Sequence, residues 1–166
     1  LGFCSMIISG TLLGIVRDGK LIRHDDDIDI AVYLGDGDVE YVANRYIELE
    51  GMLKRLQMVP PPESPIRKHL KVEVPNVGII DVFPAWTYMG KAYVYPHTCG
   101  NVSQDDLLPI QSYPITANSF VHLPANPESL LISNYGKDWR TPNPAWKFDW
   151  SQTHSDFSEY PFVGKL

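Results

Sequence analysis

The sequence predicts an α/β (α+β) fold, a mixed β-sheet with flanking helices, on three observations. An apolar run ends at a glycine and gives way to a helix start between Phe3 and Arg17. A second apolar run is followed by a long amphipathic stretch between Asp27 and Leu56, and a polar–apolar alternation is joined by a turn to a further apolar run between His69 and Phe83. With 166 residues, 44% of them hydrophobic, the chain suits one domain over residues 1–166 with enough material for a buried core.

In chain order, Phe3 to Ser9 reads as a short strand that Gly10 ends, and Thr11 to Arg17 as a short helix or turn before the turn signal Arg17-Asp18-Gly19-Lys20. Asp27 to Leu34 is the second strand, closed by Gly35-Asp36-Gly37, after which Asp38 is placed to cap a helix. From Val39 the apolar residues Val42, Ala43, Tyr46, Leu49, Leu53 and Leu56 recur at helical spacing until Pro60-Pro61-Pro62 forbids continuation. His69 to Val74 and Gly78 to Phe83 are expected to form a hairpin across a Pro75-Asn76 turn.

Beyond Trp86, Ala92 to Tyr95 and Ser119 to Leu123 read as short strands separated by a loop-rich stretch. Asn126 caps a further helix with Pro127 in its first turn, apolar Leu130, Leu131 and Ile132, and Gly136 at its end. Residues 141–166, rich in Trp and Pro, are expected to form an irregular tail.

A formal net charge of -6 argues against broad phosphate-backbone binding, so no nucleic-acid partner is expected. The apolar runs fall far short of the roughly 20 residues that cross a bilayer, so no transmembrane segment is expected in this chain. Leu1, followed directly by strand-like sequence, points to an excised piece or a lost start, and a targeting signal would be lost with it. Cys4 and Cys99 supply neither a disulfide framework nor a zinc set, and His97 beside Cys99 lacks clustered partners. Asn101-Val102-Ser103 fits a glycosylation sequon, which matters only in a secreted protein.

The chemistry lies in the acids. In a strand beginning near Asp27, side chains alternate faces, which puts Asp27, Asp29 and Ala31 on one side and Ile28, Ile30 and Val32 on the other. Asp25 extends the acidic side, while Asp26 points away from it. Carboxylates two residues apart on one face repel each other and lose hydration on burial, a cost of several kcal/mol unless a cation or donors compensate. Mg²⁺, which takes oxygen ligands and is shared between one or two carboxylates and substrate phosphates, is the natural compensation. Asp81, among apolar neighbours in Ile79-Ile80-Asp81-Val82-Phe83, is a third acid that an adjacent strand could bring to the first two.

Two other readings of the acids are weaker. A solvated acidic turn leaves the in-strand alternation without a cause. A calcium loop fails because Ile30 stands where the loop needs Gly and Asp36 where it needs Glu. Ser9-Gly10-Thr11 adds close backbone approach and free helix-start amides that can bind phosphate oxygens.

With these parts in place the sequence resembles the nucleotidyltransferase-like superfamily and, within it, the LicD/fukutin family. Gly10-Thr11-Leu12-Leu13-Gly14, Arg17 and Asp25-Asp26-Asp27-Ile28-Asp29-Ile30 look like that family's signature. Ile80-Asp81-Val82-Phe83-Pro84 resembles its second block, and Tyr135-Gly136-Lys137-Asp138-Trp139 its closing block. These blocks span about residues 9–140; Arg23-His24 departs from the Pro-Trp common before the acids, and Ala92 to Ile115 shows no match.

The resemblance implies a nucleotidyltransferase-like fold and an enzyme that moves a phospho-alcohol unit, such as phosphocholine or ribitol phosphate, from a CDP-activated donor to a glycan hydroxyl. Asp27 and Asp29, with Asp25 as a further ligand, would hold Mg²⁺ or Mn²⁺ against the diphosphate. Gly10 and Thr11 amides would cradle its oxygens, and Asp81 would complete the metal site or take the acceptor's proton. Arg17, Lys20 and Arg23 are candidates to neutralise phosphate charge, and His24 to contact donor or acceptor. Lys71 and Glu73 are placed either to line the cleft or as an exposed strand face, and Trp139 either stacks on a ligand or packs in the core. The compartment stays open: cytoplasmic in a bacterium, the Golgi lumen in a eukaryote. The alternatives are nucleoside monophosphate transfer from a triphosphate, or a non-catalytic glycan- or metal-binding module of the same fold.

Overall fold

The computed structural model describes residues 2–23, 25, 27–59, 69–75 and 78–160. It is a mixed α+β structure with flanking helices, as expected of a nucleotidyltransferase-like fold. Strand β1 (Cys4–Ile7) leads into helix α1 (Ser9–Asp18), and β2 (Ile28–Asp36) into α2 (Val39–Arg55). Hairpin β3 (Leu70–Val74) and β4 (Gly78–Tyr88) continues into β5 (Lys91–Val94) and β6 (Thr98–Ser103). The second half adds the short α3 (Gln104–Leu107), the two-stranded β7 (Gln111–Thr116) and β8 (Ser119–Leu123), then α4 (Pro127–Tyr135) and α5 (Trp150–Asp156).

The main sheet runs β1-β2-β4-β5-β6, with β3 also on β4. Only β2 and β4 pair in parallel, in a register that sets Asp29 against Asp81; the other pairs are antiparallel. Strand β4 gives one edge to β2 and shares the other between β3 at its start and β5 at its end. Such doubly flanked strands must be apolar on both faces, and Val82 through Thr87 are all buried.

Local chemistry explains the first half. Asp38 caps α2 by accepting the Tyr41 N–H at 3.0 Å, and the buried Val42, Tyr46 and Leu49 form the helical stripe. The helix ends at Arg55; Pro60-Pro61-Pro62 and the Asn76 of the hairpin turn lie outside the described residues. In α1, Gly14 is forced by close approach: a Cβ there would lie 2.7 Å from the Lys20 carbonyl oxygen and 3.0 Å from the Ile22 nitrogen. The connection to β2 therefore folds tightly back along the helix, which delivers the acids beside the helix start.

Three expectations need correction. The stretch between Ala92 and Ser119 is not loop-rich, since it contains β6, α3 and β7. Gly100 and Asn101 within β6, and Pro114 within the fully exposed β7, disguise strands that sit at sheet edges, where such residues are tolerated. The tail is not irregular throughout, because Asp149 caps α5 and Phe157 after it is fully buried, edge-on to Trp86 and Tyr95. Ile132 of α4 is 42% exposed while Leu130 and Leu131 fill the core. Among the described residues, no helix is long and apolar enough to cross a membrane.

Candidate active site

The site is built at the start of the parallel pair. Antiparallel pairing of β1 with β2 places Ile7 opposite Ile30, and Ile8 then donates its N–H to the Asp29 carbonyl at 3.1 Å. The chain turns straight into α1, so the helix start faces the first residues of β2. Asp29 donates its own N–H to Thr11 Oγ1 at 3.0 Å, and the Gly10 N–H is donated to the Asp29 carboxylate. Thr11 is buried behind the acids, where its hydroxyl secures the β2 backbone.

Asp27, Asp29 and Asp81 each offer an oxygen, and these all lie within 4.8 Å of one another. Burial, and then the negative charges of Asp27, Asp25 and Asp81, push the Asp29 carboxyl up to about 7, although the Gly10 N–H opposes them. Burial also acts to raise Asp81, but the hydrogen bond and charge of His69 together with the charge of Lys71 hold it below the usual carboxylate range. His69 Nε2 lies 3.4 Å from Asp81 Oδ2, and Lys71 Nζ 3.9 Å from Oδ1. Oδ1 is buried and has no hydrogen-bond partner among the described residues.

An orphaned carboxylate oxygen, a neighbouring carboxyl pushed toward neutrality and an exposed third acid form a donor set short of positive charge. Three hard oxygen donors at this spacing fit a divalent cation such as Mg²⁺ or Mn²⁺.

Asp25 lines the same pocket but stands outside the group of three, which corrects its expected role as a ligand. Its carboxylate packs against the Gly10 Cα, in the space that a Cβ at residue 10 would take. The expected basic residues do not gather here. Arg17 is held by Asp18 through two hydrogen bonds of 3.0 and 2.8 Å and lines a neighbouring cavity. Lys20 and Arg23 are exposed on the connection between α1 and β2 and line neither space. His24 and Asp26 lie outside the described residues. Glu73 is exposed on β3, and Trp139 is buried at 4% exposure, as core packing requires.

The acids open into a pocket of about 350 Å³ whose other wall is aromatic: Phe83, His97, Tyr135, Trp146, Phe148 and Trp150. Phe148 lies edge-on to Trp150 at 4.5 Å and to His97 at 4.6 Å, and Tyr135 lies 4.8 Å from Trp146. Burial pushes His97 down to about 4, so it is neutral at ordinary pH. Sequence reasoning missed this wall, as it did His69. Tyr135 stood in a quoted block and His69 two positions before Lys71 on the alternating strand, but Trp146, Phe148 and Trp150 carry no local signal beyond being aromatic.

Residues 2–126 match the family model of the LicD/FKTN/FKRP nucleotidyltransferase domain. A search of curated proteins finds no match to the chain. Transferases that modify glycans from nucleotide-activated donors make up this family in general. Since the matched residues are most of its length and carry the acids, the helix start and the strands that align them, the chain belongs to the LicD/FKTN/FKRP family.

Proposed function

We propose that the chain is a divalent-metal-dependent phosphotransferase that moves a phospho-alcohol unit, phosphocholine-like or ribitol-phosphate-like, from a CDP-activated donor to a glycan hydroxyl. The observation that carries this reading is the cluster of Asp27, Asp29 and Asp81 on two parallel strands at the floor of a pocket. A bound Mg²⁺ or Mn²⁺ supplies Lewis-acid charge neutralisation to the diphosphate.

This chain's own groups do the rest. Asp27, Asp29 and Asp81 are the metal ligands in this reading, and the α1 start holds Asp29 in place through Gly10 and Thr11. A carboxyl held below its usual range, as Asp81 is, makes a poor proton acceptor, which favours its role as ligand over that of general base. The aromatic wall limits water around the phosphorus. In the transfer the acceptor oxygen bonds to the phosphorus that bears the alcohol, the bond to the CMP oxygen breaks, and the hydroxyl proton is lost.

The test is release of CMP from CDP-choline and CDP-ribitol with Mg²⁺ or Mn²⁺ and a glycan acceptor. Asp27→Asn and Asp29→Asn are expected to lose at least about 100-fold in turnover with the fold intact, as removal of a key electrostatic group does. Full activity in either variant, or in excess chelator, overturns the reading. Pyrophosphate release from nucleoside triphosphates would instead identify nucleotidyl transfer, and binding without turnover on any donor a non-catalytic module.

A further inference from the structure

The acid pocket has a neighbour. A cavity of about 660 Å³ lies against it, and Tyr135 and Trp146 line both spaces. Tyr135 marks the junction in a second way: its hydroxyl is within electrostatic range of Asp29 and Asp25 and also of Arg17, which lines the second cavity. A ligand anchored at the carboxylates thus needs only to pass Tyr135 and Trp146 to reach this space.

The lining is mainly apolar and aromatic, where the first pocket is anionic. Trp139 contributes to it, is only 4% exposed, and has an indole N–H without a hydrogen-bond partner among the described residues. A buried donor with no acceptor is costly, and an acceptor on a ligand removes that cost. A carbohydrate, with hydroxyls on most of its carbons, needs more polar partners than this lining supplies. A cationic alcohol is opposed by the guanidiniums of Arg17 in the wall and of Arg140, which lies over the Trp139 ring at 4.3 Å. A neutral flat heterocycle with a carbonyl or ring-nitrogen acceptor satisfies both the aromatic faces and the unpaired donor.

We propose that this cavity receives the nucleobase of the nucleoside diphosphate donor, while the diphosphate extends past Tyr135 and Trp146 to the carboxylates. The inference rests on the metal–diphosphate reading above. It assigns donor recognition largely to residues that follow the matched family segment, since Tyr135, Trp139 and Trp146 lie beyond residue 126.

Calorimetric titration of the full chain in Mg²⁺ with pyrophosphate and with CDP tests it. CDP is expected to bind at least about tenfold more tightly than pyrophosphate, as added stacking surface provides. Thr141→Trp, which fills the cavity from an exposed position, removes that advantage and leaves pyrophosphate binding within about twofold, since it is remote from the carboxylates. Trp139→Phe keeps a ring but removes the N–H, and lowers CDP affinity alone. If pyrophosphate itself shows no Mg²⁺-dependent binding, the metal–diphosphate reading falls and takes this inference with it. If pyrophosphate binds but CDP gains nothing, or if both variants, folded by circular dichroism, keep the full CDP advantage, the cavity assignment is overturned and the earlier reading stands.

Discussion

At the scale of single residues, Asp29 and Asp81 respond to pH in opposite senses. Asp29 keeps its proton to about pH 7 in the folded chain, whereas an unfolded Asp loses it near pH 4. The folded state therefore holds the extra proton between those values. The stability this group contributes is fully present below about pH 4 and is lost as pH rises through about 7. Asp81, held below its ordinary value, contributes stability above the unfolded carboxyl range and loses it on acidification. Without divalent cations the melting temperature is expected to fall between about pH 5 and about pH 8, and Asp29→Asn to remove most of that fall. Mg²⁺ or Mn²⁺ should raise the melting temperature more at the higher pH, because cation and proton compete for the same oxygens. A variant that keeps the wild-type slope would show that this proton is not the cause.

At the scale of elements, α1 and its return to β2 act as one unit. Gly14→Ala sets a methyl group against main-chain atoms of Lys20 and Ile22, so the whole connection must shift. We expect a loss of about 1–3 kcal/mol from such overpacking, measured as a lower urea midpoint. Gly51→Ala on α2 is the control, since its methyl group would meet only Arg55 Nη1 at 3.7 Å; it should be neutral or stabilising by up to about 1 kcal/mol. The elements around these glycines were legible because their signals are local: a turn glycine, the Asp38 cap, and apolar residues at helical spacing in α2. Strands β6 and β7 were not, because their residues are poor strand formers and only the pairing partners, β5 for one and β8 for the other, make them strands.

At the scale of the whole molecule, the same division separates the two walls of the site. The acids could be found in the sequence because carboxylates on the buried face of a strand violate an ordinary burial pattern. The aromatic wall could not, because Trp146, Phe148 and Trp150 become a wall only when the tail folds back over the sheet. That return is fastened by α5: Thr153 donates to the Pro96 carbonyl at 3.0 Å, Cys99 Sγ to the Asp156 carbonyl at 3.2 Å, and Phe157 fills a core position between Trp86 and Tyr95. Phe157→Ala is expected to cost about 3–5 kcal/mol in chemical denaturation. A loss below about 1 kcal/mol would mean that the tail is not docked as described.

The parallel register of β2 and β4 imposes a parity rule on the site. Asp29 and Asp81 meet because they are opposed residues on neighbouring strands with a two-residue side-chain period. A slip of β4 along β2 by two residues would separate the carboxylates but leave them on one face. A slip by one would send Asp81 through the sheet to its opposite side. Insertions or deletions within β4 before Asp81 are thus constrained by whether they are odd or even, whereas those in the chain that leads into β3 leave the parity untouched.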